Sequence, residues 1–200
     1  KAPNYLKQAI GWSYHAPYAG HDGIQLAVGE HFEKQKDHIF LYYRELLTAM
    51  ACGMTAEEII LNGISKATDP SSGGRHMSNH FAKPEWNIHS VSSSTGNHTL
   101  HAVGVARAIK YYGEKAVAIS GQGESSVSEG YVYEAFNGAD KEELPVIFVI
   151  QDNGYGISVG IAQWNQKRGD LPKLFKAWYD ASEAEKEEGG LPELFKGWRK

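Results

Sequence analysis

Two oxygen-bearing side chains, Glu124 and Asn153, each follow an apolar stretch that is typical of a buried strand. Residues 116–119 (AVAI) precede the first, and residues 145–150 (PVIFVI) precede the second. Because ligands of open parallel sheets bind beyond the carboxyl ends of the strands, we expect both side chains to line one crevice. A carboxylate, an amide oxygen and the main-chain carbonyl of Tyr155 would suit Mg²⁺, whose remaining positions a diphosphate could share with water. The pattern therefore predicts a metal and diphosphate site.

Four ordered motifs surround these residues. They are residues 42–44 (YYR), 67–80 (ATDPSSGGRHMSNH), 123–130 (GESSVSEG) and 151–158 (QDNGYGIS). Together they resemble the alpha chain of the E1 component of 2-oxoacid dehydrogenases, which are thiamine-diphosphate enzymes. The usual cofactor motif of such enzymes is Gly-Asp-Gly, then a helix and a strand, then Asn-Asn.

Three positions depart from that usual form. Glu124 replaces the aspartate, Ser125 replaces the second glycine, and Asp152 precedes a single Asn153. An ordinary polar turn between a strand and a helix is the alternative for the acidic motif taken alone. The three other motifs favour the cofactor site.

The resemblance implies which residues hold the cofactor. Tyr43 and Arg44 would reach the diphosphate, since an arginine offers a planar fork of donors that matches phosphate oxygens. The alternative for Arg44 is a surface salt bridge with Glu45. Residues 92–96 correspond to the family stretch whose backbone supports the aminopyrimidine ring, with Ser94 where branched-chain relatives often carry proline. The implied cofactor-binding residues are Tyr43, Arg44, Ser93, Thr95, Gly123, Glu124, Ser125 and Asn153, and the implied metal ligands are Glu124, Asn153 and Tyr155.

The resemblance also implies an activity. It is the oxidative decarboxylation of a 2-oxo acid, as in pyruvate or branched-chain 2-oxoacid dehydrogenases, with thiamine diphosphate and Mg²⁺ and with acyl transfer to lipoamide on an E2 partner. An E1 beta chain would complete the site, so we expect an oligomer and no catalysis by this chain alone. Two alternatives stay open: a truncated or engineered noncatalytic cofactor-binding domain, and another thiamine-diphosphate enzyme of the transketolase-like type.

The histidines give a weaker signal. His76 and His80 are four residues apart, but the preceding Pro-Ser-Ser-Gly-Gly stretch disfavours a helix, and a zinc site would need a third ligand. By resemblance they lie near the entrance of the active site, where contact with substrate or a lipoyl arm and a purely structural role are both open. His21, His98 and His101 are expected to be structural.

Composition excludes several other functions. The chain has 200 residues, a formal charge of -4 and a pI near 6.1, which disfavours general nucleic-acid binding. No apolar stretch reaches the roughly 18 residues that a membrane span needs. Cys52 is the only cysteine, so an intrachain disulfide cannot form and a reducing compartment is expected, the cytoplasm or, in a eukaryote, the mitochondrial matrix. We predict that Cys52 is buried within a helix.

Helix and strand signals alternate as in an α/β domain, so we predict a parallel sheet with helices on both faces, part of a thiamine-diphosphate-binding fold. The predicted extended segments are residues 37–43, 87–92, 116–120 and 145–150. The predicted helices are residues 23–32, 45–52, 99–112 and 128–136, together with one that begins at a capping box on Thr55 and Glu58.

The last part of the chain has a different character. We predict an alpha-chain-like domain at residues 1–159 and a short helical tail, not matching the family, at residues 160–200. Two near copies in the tail, residues 171–178 (LPKLFKAW) and 191–198 (LPELFKGW), put Leu, Phe and Trp on one helical face. Short packing helices are favoured over a membrane-surface or partner-docking role. The chain begins without Met, as a fragment would, and truncation, splicing and engineering are all open.

Overall fold

The computed structural model describes residue 12, residues 14–157 and residues 159–160. The described residues fall into two compact units, with the first ending at Asn153 and the second beginning at Gly154. The predicted tail helices at residues 171–178 and 191–198 lie outside the described residues. The boundary that we predict at residues 159–160 stays a prediction.

A four-stranded parallel sheet forms the centre of the first unit. Its strands are β1 (His38–Phe40), β2 (Ile88–His89), β3 (Ala118–Gly123) and β4 (Val146–Gln151), in the order β2-β1-β3-β4. Strand β3 pairs with β4 along its whole length, from Ala118 opposite Val146 to Gly123 opposite Gln151. The two central polar motifs therefore begin at neighbouring strand ends.

Five α-helices surround this sheet within the described residues. They are α1 (Asp22–His31), α2 (Leu46–Ala51), α3 (Ala56–Gly63), α4 (His98–Tyr112) and α5 (Gly130–Lys141). Helix α3 begins at the predicted capping box: Thr55 Oγ1 accepts from the Glu58 N–H at 3.2 Å, and Glu58 accepts from the Thr55 N–H at 2.8 Å. Local sequence alone specifies such a helix start.

The core lies on both faces of the sheet. Because neighbouring residues of a strand point to opposite faces, Ile39 packs into a cluster that includes Ala49 of α2 and Ile59 of α3, whereas Phe40 packs into a cluster that includes Ala106 of α4. Helix α5 adds a smaller cluster with α4. This architecture confirms the predicted α/β sheet with helices on both faces.

Several element bounds differ from the sequence prediction. Strand β2 covers only Ile88–His89, since Asn87 before it adopts a left-handed backbone with φ of 61°. Strand β3 continues to Gly123, three residues beyond the predicted end, and a 3₁₀ turn (Glu124–Ser128) then delays the start of α5 to Gly130. Cys52 is buried at the end of α2, as predicted, and burial raises the pKa of its thiol to about 12.

The second unit, in its described part, is a two-stranded antiparallel ladder of β5 (Tyr155–Gly156) and β6 (Val159–Gly160). Among the helices that the structure describes, none has both the length and the apolar character needed to cross a membrane.

Candidate functional site

The site begins where β3 and β4 end side by side. Glu124 follows the last residue of β3 directly, and Asn153 comes two residues after the last residue of β4. Gly123 and Gln151 are paired across these strands, so the parallel register brings the predicted carboxylate and carboxamide to the same edge of the sheet. Tyr155 belongs to the second unit, and its role as a metal ligand stays a prediction.

Arg44 reaches this edge from the loop between β1 and α2. Its Nη2 lies 3.8 Å from Glu124 Oε2, and each side chain is only 9% exposed. That distance is too long for a direct hydrogen bond. Within the described part of the chain, Arg44 Nε has no hydrogen-bond partner. A buried guanidinium with unused donors can bind an anion.

The alternative of a surface salt bridge between Arg44 and Glu45 does not hold. Both residues are buried, Arg44 at 8% exposure and Glu45 at 1%. The ion pair of Arg44 is with Glu124 instead.

Gly123 leaves room for the arginine. A Cβ atom built at this position would come within 3.0 Å of Arg44 Nη2, closer than real Cβ atoms approach, and 3.3 Å from the hydroxyl of Tyr42. Its φ of -87° is open to any residue, so the close approach of Arg44 is what requires glycine here. The missing side chain lets the guanidinium lie against the end of β3, next to Glu124.

Two tyrosines line the same loop. The hydroxyl of Tyr42 donates to that of Tyr43 at 2.9 Å, and the Arg44 guanidinium carbon lies 5.3 Å from the ring centre of Tyr42. Burial, together with the neighbouring hydroxyl of Tyr43, raises the pKa of Tyr42, and the same causes raise the pKa of Tyr14 to about 12. These phenols therefore stay protonated at neutral pH and can act as hydrogen-bond donors.

The predicted histidines lie beside the serine-rich loop. His80 Nδ1 is 3.1 Å from the carbonyl oxygen of Ser78. Because a carbonyl oxygen can only accept a hydrogen bond, Nδ1 carries the hydrogen and Nε2 accepts from Ser93 Oγ at 3.2 Å. The ring of His76 stacks on His80 with a centroid separation of 4.5 Å, and the ring of Tyr43 lies 6.4 Å away. Burial lowers the pKa of His80, so His80 is a neutral imidazole at pH 7.

The rest of the serine-rich loop is anchored near Glu124. The hydroxyl of Tyr131 donates to the main-chain oxygen of Thr95. Gly96, with φ of 81°, approaches Ser126 of the 3₁₀ turn so closely that a Cβ would lie 3.3 Å from the Ser126 main-chain oxygen. Ser125 Oγ is buried and, among the described residues, lacks a hydrogen-bond partner. The structure therefore joins the stretch carrying Ser93 and Thr95 to the turn that begins with Glu124.

Sequence reasoning missed a buried set of polar residues beneath Arg44. Glu45 Oε2 accepts from the Tyr42 N–H and Glu45 Oε1 from Gln151 Nε2, both at 2.7 Å. Gln25 Nε2 donates to Gln151 Oε1 at 2.7 Å and to the main-chain oxygen of Arg44 at 3.0 Å. Burial raises the pKa of Glu45 to about 7, against the stabilising effect of the Tyr42 N–H. The contacts join residues 25, 45 and 151, and no local pattern in the sequence signals them.

The donor set fits a diphosphate held with a metal ion. Among the described residues, no group of three or more His, Cys, Asp or Glu side chains could hold a metal. Mg²⁺ commonly takes only one or two carboxylates from protein and the remaining ligands from phosphate and water. One buried carboxylate beside an arginine whose Nε–H lacks a partner among the described residues matches this chemistry better than a protein-only metal cage.

Comparison with known proteins gives one family. The family model described as "Dehydrogenase E1 component" matches residues 3–171. The 2-oxoisovalerate dehydrogenase subunit alpha of Bacillus subtilis (strain 168) is 36% identical over 140 residues, which are 70% of this chain and 42% of that protein. The pyruvate dehydrogenase E1 component subunit alpha of Staphylococcus aureus (strain Mu50 / ATCC 700699) is 36% identical over 146 residues, 72% of this chain and 36% of that protein.

A third relative is more distant. The pyruvate dehydrogenase E1 component subunit alpha of Rhizobium meliloti (strain 1021) is 29% identical over 143 residues, 70% of this chain and 39% of that protein. The chain thus spans about two fifths of the length of the curated relatives that it matches.

Proposed function

Because the chain belongs to the dehydrogenase E1 component family, we propose that its first unit binds thiamine diphosphate with Mg²⁺ and acts as an alpha chain in the oxidative decarboxylation of a 2-oxo acid. The observation that carries this proposal is the buried pair of Arg44 and Glu124, 3.8 Å apart at adjacent strand ends. The pair offers one positive group for phosphate and one carboxylate for metal. Such a site can take an anion and a cation together.

Each residue has a role in this proposal. Arg44 binds the diphosphate through its guanidinium, whose Nε–H has no hydrogen-bond partner among the described residues. Glu124 and Asn153 hold Mg²⁺ through side-chain oxygens. Gly123 leaves room for the guanidinium at the end of β3, and Tyr43 adds a hydroxyl group.

The loop residues position the rest of the cofactor. Ser93 and Thr95 support the aminopyrimidine ring by their main chain, and Ser125 offers its buried hydroxyl to the diphosphate. His80, neutral and fixed in one tautomer by Ser78, is the candidate for accepting or donating a proton near the substrate. His76, stacked on it, holds the His80 ring in place. When bound, thiamine diphosphate supplies the electron sink for loss of carbon dioxide.

The chain would work with partners. An E1 beta chain would complete the wall of the site, and a lipoyl-bearing E2 protein would receive the acyl group. We expect the isolated chain to form dimers or larger species in light scattering and to turn over no 2-oxo acid until a beta chain is added. The proposed compartment is the cytoplasm, or the mitochondrial matrix in a eukaryote.

Calorimetric titration with thiamine diphosphate in the presence and absence of Mg²⁺ tests the proposal. We expect Mg²⁺-dependent binding that Glu124→Ala and Asn153→Ala each weaken, while the circular-dichroism melts stay nearly unchanged. Glu114→Ala, which removes an exposed carboxylate before the amino end of β3, is the control and should bind like wild type. Equal binding by wild type and both site variants would refute the metal site.

The same titration separates the proposed enzyme from a noncatalytic binding domain. Cofactor binding that is followed by turnover when a beta chain is added indicates an alpha chain. Cofactor binding with no turnover after that addition indicates a binding domain only.

A further inference from the structure

Glu45 is a buried carboxylate that touches neither metal nor phosphate in the proposed function. It is 1% exposed, and both of its oxygens accept hydrogen bonds. Gly121 of β3 lies against it so closely that a Cβ there would fall within 3.0 Å of all three carboxylate atoms. A charged group that is enclosed this tightly carries a large desolvation cost, so its position within the site calls for a physical reason.

The carboxylate determines the direction of the hydrogen bonds beside it. Above its pKa of about 7 the Glu45 carboxylate is ionised and can only accept, so Gln151 turns its NH₂ group towards Glu45 and its oxygen towards Gln25. Gln25 must in turn present its NH₂ group to Gln151. The second hydrogen of that NH₂ group reaches the main-chain oxygen of Arg44 at 3.0 Å, and the Gln25 oxygen accepts from the Leu47 N–H at 3.2 Å.

We propose that Glu45 is a positioning residue: as the acceptor-only end of this series, it orients the amides of Gln151 and Gln25 and thereby fixes the main chain of Arg44 beside Glu124. The inference rests on the proposed function, because the affinity for thiamine diphosphate is one of the quantities that it explains. The series also joins helix α1, the Arg44 loop and the end of β4, which leads to Asn153.

An uncharged amide at position 45 would disturb the whole series. In Glu45→Gln, one of the two acceptor oxygens becomes an NH₂ group, which must face either the Tyr42 N–H or the Gln151 NH₂. If the Gln151 amide turns over instead, its NH₂ group faces the NH₂ group of Gln25, and these two donors lack an acceptor between them. Turning Gln25 over as well removes the donor from the Arg44 oxygen. Every arrangement therefore leaves one buried donor without an acceptor, at a cost that is large for a buried group.

An exchange variant restores the pattern. In Glu45→Gln/Gln151→Glu, the carboxylate and the amide exchange places. The carboxylate at position 151 accepts from the NH₂ group of the new glutamine at position 45 and from the NH₂ group of Gln25. The oxygen of the new amide still accepts from the Tyr42 N–H. All hydrogen bonds of the series are kept, including the one to Arg44.

The test measures two quantities in each variant. One is the affinity for thiamine diphosphate with Mg²⁺ by calorimetry, and the other is the ¹³C carbonyl resonance of Arg44 in the cofactor-free protein. We expect Glu45→Gln to weaken binding about five- to ten-fold and to shift the Arg44 resonance, and we expect the exchange variant to recover both. Thr48→Val, which changes a buried side chain of α2 with no hydrogen-bond partner among the described residues, is the matched control and should alter neither.

Each outcome decides the question. Unchanged affinity and resonance in Glu45→Gln, or no recovery in the exchange variant, overturns the positioning role. If Glu45→Gln does not fold, Gln25→Met removes the donor to Arg44 while keeping the bond between Glu45 and Gln151. It should shift the Arg44 resonance and weaken binding, and the absence of both effects overturns the inference. A wild-type chain that binds no cofactor refutes the proposed function, while the Arg44 resonance still tests the role of Glu45.

Discussion

The two ends of the parallel sheet use buried polar groups in opposite ways. At the amino end, Asp37 accepts from the N–H groups of Val117 and Glu33 at 3.1 and 3.0 Å, and a ring nitrogen of His38 lies 2.8 Å from one of His89. At the carboxyl end, the two members of the ion pair are 3.8 Å apart.

Unused donors are found at the carboxyl end. Within the described residues, Arg44 Nε, Gln122 Nε2 and Ser125 Oγ there have no hydrogen-bond partner. A paired buried group stabilises the fold, whereas an unpaired one costs free energy that a ligand can recover. The buried polar groups of the amino end therefore hold the sheet together, whereas those of the carboxyl end agree with the proposed binding of a ligand there.

Removing the charge of Asp37 should give the largest effect on stability. In Asp37→Asn, only one oxygen remains to accept from two main-chain donors, so we expect the free energy of unfolding to fall by about 2–3 kcal/mol. Cofactor affinity of the folded protein should stay within about two-fold of wild type. Denaturant unfolding and calorimetry measure the two quantities, and Asp140→Asn at an exposed position is the control. A large loss of affinity would contradict the division between the two ends.

A methyl group at Gly123 should weaken cofactor binding while changing stability little. The atom that it would strike is the end of a flexible side chain, Arg44 Nη2, so Gly123→Ala should fold while its guanidinium is displaced. We expect thiamine diphosphate to bind about ten- to one hundred-fold more weakly, because a charge-assisted hydrogen bond contributes about 1.5–3 kcal/mol. Gly138→Ala, where a Cβ meets nothing within 4 Å, should bind normally. Equal affinity in both variants would mean that the close approach of Arg44 to Gly123 does not contribute to cofactor binding.

Arg44→Lys tests the fork geometry while keeping the charge. Lysine cannot supply two parallel donors, so we expect cofactor affinity to fall about ten-fold, by the usual 1.4 kcal/mol per decade. Stability should change little, since the ion pair with Glu124 is already long. Calorimetry and thermal melts report both. An unchanged affinity would mean that Arg44 serves only as the ion-pair partner of Glu124 and does not bind the cofactor.

The smallest expected effect is on the pH dependence of stability, and it arises from His89. Burial, and secondarily the neighbouring His38, lowers the pKa of His89 to about 4. A histidine whose pKa is lower in the folded state binds fewer protons there, so stability falls as the pH drops from about 6.5 towards 4. We expect His89→Gln to remove about 1 kcal/mol of this decline after solvent screening. Melts between pH 7 and 4.5 measure it, with exposed His31→Gln as control; parallel curves for wild type and His89→Gln would exclude the effect.

Local and periodic features of this chain were predictable from sequence. The capping box at Thr55 and Glu58 is confirmed because both hydrogen bonds form within one turn. The alternation of helices and strands and the family resemblance of four motifs are confirmed as well. The assignment of individual residues to cofactor and metal stays a prediction, although the fold brings Arg44 and Glu124 together.

The features that were missed depend on distant partners. Strand β3 extends beyond its predicted end through Gln122, a polar residue that looks like part of a loop but is buried in the strand that β4 pairs with. Glu45 looked like a surface residue following Arg44. Its environment is determined by Gln151, which is 106 residues away, and no local pattern can supply such information.

The hydrogen-bonded series of Gln25, Gln151 and Glu45 also has a consequence for the order of folding. It closes contacts across 126 and 106 residues, and contacts between such distant residues form slowly because a long loop must close first. During synthesis, Gln25 and Glu45 leave the ribosome well before β4 exists. The Arg44 loop therefore reaches its final geometry only after β4 has docked beside β3, so the proposed cofactor site cannot form on a nascent chain before β4 is in place.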